Sequence, residues 1–297
     1  MTSRIPAAFA LAALFASAGA AQQPPAPQAG AAQPRTARSV APIDLTGYWV
    51  AVVTEDWRWR MLTPAKGDYA SIPMTDEGRK VADSWDLAKD EAAGNACKPF
   101  GVGNIMRMPG RLHITWQDDS TLKLEFDAGT QTRLLHFDGR PPAGGERTWQ
   151  GYSAAAWEIA GQALNLDRNN IPQGPSPTGV GGAPPGGGGG GGGRGRGAGR
   201  GAPPRGGSLR VATTNFRDGY LRKNGYPYSA NATVSEYFDR LGPEPNGDVL
   251  LLVRTVIEDS KYLNGPFITS THFKQEKDGA KWSPTPCKID PPVVPGR

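Results

Sequence analysis

The residues able to do chemistry in this 297-residue chain are few and scattered. Its three histidines, His113, His136 and His272, are far apart in sequence. A shared metal site would need the fold to gather them, and each reads first as a structural imidazole. Met106 and Met108, close to His113, supply soft donors of the kind that hold copper, but at this spacing they fit core or rim packing better. No two carboxylates are placed for acid–base work. Asp118-Asp119 falls in a turn, Glu125 and Asp127 flank a strand end, and Glu258-Asp259 closes another strand. Ser153 has Gly151 before it and no glycine two residues after it, so it misses the nucleophile-elbow pattern. The run Gly186 to Gly193 leads into neither Lys-Ser/Thr nor a helix and is not a phosphate loop.

What the chain does hold is aromatic surface. Ligand sites are concave and mostly apolar, with a few placed polar groups. On that basis Trp49, Trp57, Trp59, His113, Trp116, Arg133, Tyr152 and Trp157 are the candidate lining residues of a cavity. Trp57-Arg58-Trp59-Arg60, read as an extended segment, puts two indoles on one face and two guanidinium groups on the other. No catalytic residue, metal or cofactor is specified.

The elements that must position these residues are mostly strands. Asp44 to Thr54 is apolar and β-branched. Arg111 to Trp116 and Thr121 to Phe126 alternate on either side of the turn Gln117-Asp118-Asp119-Ser120. Gln131 to Phe137, Leu209 to Asn215, Thr233 to Leu241, Val249 to Glu258 and Ile268 to Glu276 continue the pattern, with turns at Pro245-Asn246-Gly247 and Lys277-Asp278-Gly279. Between Thr75 and Ala93 the period changes. Thr75 followed by Asp76 and Glu77 is an N-cap with acids in the first turn, which predicts one or two short helices. The fold class is therefore all-β, an antiparallel barrel or, alternatively, a sandwich, with short helices near 75–95.

Gly47-Tyr48-Trp49, entering the first strand, resembles the Gly-x-Trp signature of lipocalins, in which the tryptophan closes the base of a barrel. A longer series includes Asp44-Leu45-Thr46-Gly47-x-Trp49, Cys97-x-Pro99, Leu135-x-x-Asp138-Gly139-Arg140-Pro141 and Thr148-Trp149-x-Gly151-Tyr152-Ser153-x-x-x-Trp157-Glu158. It continues with Leu209-x-Val211-x-Thr213-Thr214-x-Phe216, Ser235-Glu236-Tyr237-Phe238-x-Arg240 and Val256-Ile257-Glu258-Asp259 before Pro266-Phe267. This series is similar to that of a large family of uncharacterised exported proteins abundant in soil bacteria. The resemblance implies a lipocalin-like β fold and export, and it carries no activity. Tyr152 stands where that family has histidine. The family's stretch through Trp157-Glu158 is interrupted and resumes at Ser208, which implies an insertion between neighbouring strands.

The remaining composition sets the frame. Arg4, the apolar run Ile5 to Phe15 and Ala18-Gly19-Ala20 form an export signal over residues 1–20, too short to span a bilayer. Residues 21–40 and the Gly/Arg-rich loop 173–207 have little to bury and are expected to be disordered. One β-rich domain is expected over 41–290, with a tail at 291–297. Removing the seven arginines of the signal, leader and loop takes the formal charge from +5 to −2, so the folded part is not built to bind nucleic acid. With only Cys97 and Cys287 in an exported chain, a disulfide between them is the expected pairing. The sequence reading is a periplasmic or secreted lipocalin-like protein without an integral membrane segment, binding a small apolar or amphipathic molecule. A barrel enzyme using His113, Arg133, Tyr152 and Glu158, and an envelope interaction protein, are the alternatives.

Overall fold

The computed structural model describes residues 35–139, 145–159 and 206–293. Eleven strands run in chain order as β1 Gly47–Val52, β2 Arg111–Trp116, β3 Thr121–Phe126, β4 Gln131–His136, β5 Tyr152–Ile159, β6 Gly207–Thr214, β7 Gly219–Tyr220, β8 Pro227–Tyr228, β9 Thr233–Leu241, β10 Leu250–Glu258 and β11 Phe267–Glu276. Nine of them close into a barrel in the order β1-β11-β10-β9-β6-β5-β4-β3-β2, while β7 and β8 form a separate two-stranded ribbon. An odd number of strands cannot close with antiparallel neighbours throughout. The one parallel pair is β4–β5, where Leu135 faces Ser153 and His136 faces Ala154. The expected barrel is thus present, and the sandwich is not. The expected insertion point also falls between antiparallel neighbours, β5 and β6.

Alternation assigns each strand an inner face. Trp49, Leu112, Ile114, Leu122, Leu124, Leu135, Trp157, Leu209, Val211, Phe238, Leu251, Val253 and Phe273 are buried together in the principal core. At one end, the proximal end, the connections are long. Residues 53–110 carry α1 Trp57–Met61, α2 Asp76–Asp83 and α3 Leu87–Ala92, and residues 215–232 carry β7 and β8. These segments cap the barrel with a second core that includes Tyr69, Ile72, Phe216, Tyr226 and Tyr228. Thr75 caps α2 by accepting from the Gly78 amide, and Asp86 caps α3 by accepting from those of Ala88 and Lys89, as the helical pattern predicts. At Gly103 a Cβ would lie 2.5 Å from the Tyr228 ring, so any side chain there forces that buried ring to move.

At the other, distal end, residues 35–46 cross the barrel mouth. Part of the expected disordered leader is therefore ordered. Thr36 and Ser39 cap one another's backbone amides, and Ala37 and Val40 pack on the core. The disorder expected over 21–34 and over most of 173–207, and the signal expected at 1–20, fall outside the described residues. After β11 the chain runs back over the outer face of β1 and β2, where Trp282 meets the stacked rings of Tyr48 and His113. Further on, beside Gly129 and Gln131, Cys287 forms the expected disulfide with Cys97 in the cap. The bond joins residues 190 apart, and loop-closure entropy for such a span is worth up to about 5 kcal/mol.

Candidate functional site

The inner faces of five neighbouring strands carry buried polar residues at one level of the barrel. On β9 the inward series is Val234, Glu236, Phe238, and on β10 it is Ile257, Thr255, Val253. Val234 and Ile257 belong to the cap core, and Phe238 and Val253 to the principal core. The polar residues between them face each other, Glu236 opposite Thr255. The next three strands along the barrel wall add Thr213 on β6, Ser153 on β5 and Arg133 on β4, all almost fully buried. A polar tier therefore lies between two apolar layers.

Arg133 organises it. Its Nε donates to Ser153 Oγ at 2.9 Å, and its Nη2 donates to Thr213 Oγ1 at 2.7 Å and to Glu236 Oε2. The two hydroxyls also bond each other at 2.9 Å. Both charged side chains are completely buried, 0% exposed. The ion pair is nonetheless one-armed. Arg133 Nη1 and Glu236 Oε1 are buried and have no hydrogen-bond partner. A guanidinium and a carboxylate usually meet as fork and fork, with two parallel bonds. Here the second arm of each is open, which offers one donor and one acceptor inside a site that is neutral overall. Nearby, burial pushes the Tyr228 hydroxyl pKa up, and the charge of Arg133 pulls it partly back.

The distal mouth is aromatic. Trp116 and Trp157 lie 6.4 Å apart, and Phe137 is 5.6 Å from the first and 5.3 Å from the second. Trp157 Nε1 donates to the Ala37 carbonyl at 2.8 Å, which pins the N-terminal segment across this mouth. Trp49 is wholly buried and donates from Nε1 to the Leu45 carbonyl at 3.0 Å, so the tryptophan of the Gly-x-Trp entry does fill the barrel interior.

Of the eight candidate lining residues, the structure turns Trp49, Trp116, Arg133 and Trp157 inward. It turns the others elsewhere. His113 lies outside the barrel, stacked on Tyr48 at 3.9 Å and paired with Glu125, because it alternates with the inward Leu112 and Ile114. Tyr152 alternates with Ser153, shares the outer face, and stacks on His136 at 4.8 Å. The Trp57–Arg60 segment is not extended. It forms α1, and helical rotation sends Trp57 to solvent, 57% exposed, while burying Arg60. Trp59 sits half-buried in the cap, with its Nε1 on Asp68. The groups considered for acid–base work, His113, Arg133, Tyr152 and exposed Glu158, are therefore not brought together. The soft donors are not gathered either, since Met106 and Met108 are in the core and His113 is outside. Among the described residues no group of three or more His, Cys, Asp or Glu side chains could hold a metal ion.

Sequence reasoning missed Glu236, Thr213 and Phe137. The signal for Glu236 was available: an acid at the inward parity between Val234 and Phe238 on a strand otherwise rich in apolar residues. No family model matches the chain, and no curated protein or solved structure is significantly similar to it.

Proposed function

We propose that this chain is an exported, lipocalin-like carrier that takes a small, neutral amphipathic molecule into its barrel. The closed barrel and the Cys97–Cys287 bond support the setting. So does the absence, among the described residues, of any helix long and apolar enough to cross a membrane. Membership of the exported soil-bacterial family is part of the same proposal. The observation that carries the binding reading is the one-armed pair Arg133–Glu236, with a free donor and a free acceptor buried inside an aromatic-mouthed barrel. An unmade bond at such a site costs about 1–3 kcal/mol per group, and a ligand hydroxyl or amide would recover it. A charged head group would not fit as well, because the pair already neutralises itself. Leu112, Leu122, Leu135 and Val211 share the inner space, so occupancy requires these side chains to shift.

Binding is tested with N-phenyl-1-naphthylamine, a neutral probe that fluoresces in apolar surroundings. The wild-type protein should bind it saturably with one-to-one stoichiometry and accept energy from tryptophan. Trp157→Ala should weaken binding by about tenfold, the worth of one well-packed aromatic contact. Absence of saturable binding would remove the reading.

A further inference from the structure

A second buried polar cluster, in the cap and separate from the barrel tier, has a different charge balance. Arg60 from α1, Arg107 from the segment before β2 and Arg222 from the β7–β8 connection are 1%, 4% and 3% exposed. Arg60 donates from Nε to the Arg107 carbonyl at 3.1 Å and from Nη1 to the Val52 carbonyl at 2.6 Å and to Glu55 at 3.2 Å. Arg107 donates from Nη2 to Asp56 at 2.9 Å. Arg222 has no carboxylate in contact and lies over the Trp59 ring at 4.4 Å. The other nearby acids are engaged, Asp68 with Arg58 at 2.6 Å and Glu55 with His272 as well.

Four nitrogens of these three guanidinium groups are buried without any partner: Arg60 Nη2, Arg107 Nη1, and Arg222 Nε and Nη1. The groups are close enough to feel each other. Burial lowers Arg60 and Arg222 to about 10, and the charge of Arg107 pushes both in the same direction. The Trp59 ring face attracts the Arg222 cation without accepting its hydrogen bonds, and Nε and Nη1 stay unpartnered. Asp56, at the rim, is 45% exposed along its side chain, so the cluster reaches the surface. Its backbone is left-handed, at φ 52°, and its carboxylate accepts from Arg107.

We propose that Arg60, Arg107 and Arg222 form a binding site for a tetrahedral oxyanion, a phosphate or sulfate group. Planar forks arriving from three segments suit a tetrahedral set of acceptor oxygens. The group could arrive as a free anion or on an anionic lipid, since Trp57, Met61 and Leu62 are exposed on and beside α1.

The test is isothermal titration calorimetry with inorganic phosphate and with sulfate at constant ionic strength, using chloride as the control anion. It is paired with sedimentation on phosphatidylglycerol and phosphatidylcholine vesicles. Wild-type protein should bind phosphate saturably, one per chain, and chloride should not compete. Arg222→Gln should weaken binding at least tenfold, and Arg222→Lys, which keeps the charge and loses the fork, severalfold. Arg38→Gln, at the distal end, should leave it within twofold. Phosphate binding without vesicle binding assigns a free oxyanion. Arg222-dependent sedimentation with phosphatidylglycerol alone, competed by phosphate, assigns a lipid head group. Binding to neither, or binding that both Arg222 variants retain in full, overturns the proposal.

Discussion

The barrel tier and the cap cluster both bury arginine, and they balance it in opposite ways. In the tier, Arg133 meets one carboxylate and two hydroxyls, and one arm of each charged group stays open. In the cap, Arg60 pairs with Glu55 and Arg107 with Asp56, while the third buried guanidinium, Arg222, touches no acid. A buried charge is costly unless it is paired and hydrogen-bonded. The tier pairs its two charges with each other and leaves one donor and one acceptor open, which suits a neutral polar head. The cap does not, and the missing element is negative. Charge balance, more than the number of polar residues, separates the two kinds of ligand.

Substitutions should expose this difference by sign. The largest effect is expected in the tier. Glu236→Leu leaves Arg133 buried and unpaired, and the unfolding free energy in urea should fall by about 3–5 kcal/mol. The double variant Arg133→Met with Glu236→Leu should recover most of that loss, because an apolar pair of similar volume removes both desolvation costs.

An intermediate effect should appear with pH in the cap. Lys223 is buried, and burial lowers its pKa to about 8. Between that value and the ordinary one near 10.4, the unfolded chain holds a proton that the folded chain has released. Stability contributed by this group therefore rises with pH, by about 2 kcal/mol from pH 8 to pH 9.5. Lys223→Met should flatten that rise in a series of thermal melts. An unchanged slope would show that the amine is solvated.

The smallest effect carries the opposite sign to the first. In buffer free of phosphate and sulfate, Arg222→Gln should raise stability by about 1–2 kcal/mol, since it deletes an uncompensated buried charge. If Arg222→Gln instead destabilises as Glu236→Leu does, the two regions are balanced alike and the comparison fails.

Much of the frame was legible in the sequence, for physical reasons specific to each element. β2, β3 and β9 begin and end where the alternation and turns place them, because a half-buried strand imprints period two on its residues. β5 carried a weaker signal, since Ala154-Ala155-Ala156 has neither branching nor alternation. α1 was misread because Trp-Arg-Trp-Arg alternates like a strand, yet only five residues form one helical turn packed on the cap. Arg133 was named as a candidate lining residue on β4. Its partner was not, because Arg133 reaches Ser153, Thr213 and Glu236 over the neighbouring strands β5, β6 and β9, an order of strands that no local pattern records. The cap arginines come from three segments separated by long stretches of sequence, and only the folded cap reveals that they are one site.

The most direct test of ligand carriage is native mass spectrometry of the protein exported to a periplasm and purified without detergent. A reproducible one-to-one adduct of a neutral small molecule is predicted, lost on denaturation and absent from the Arg133→Met, Glu236→Leu variant. A bare polypeptide mass in the wild type, with no adduct at any gentle ionisation setting, would contradict a carrier barrel.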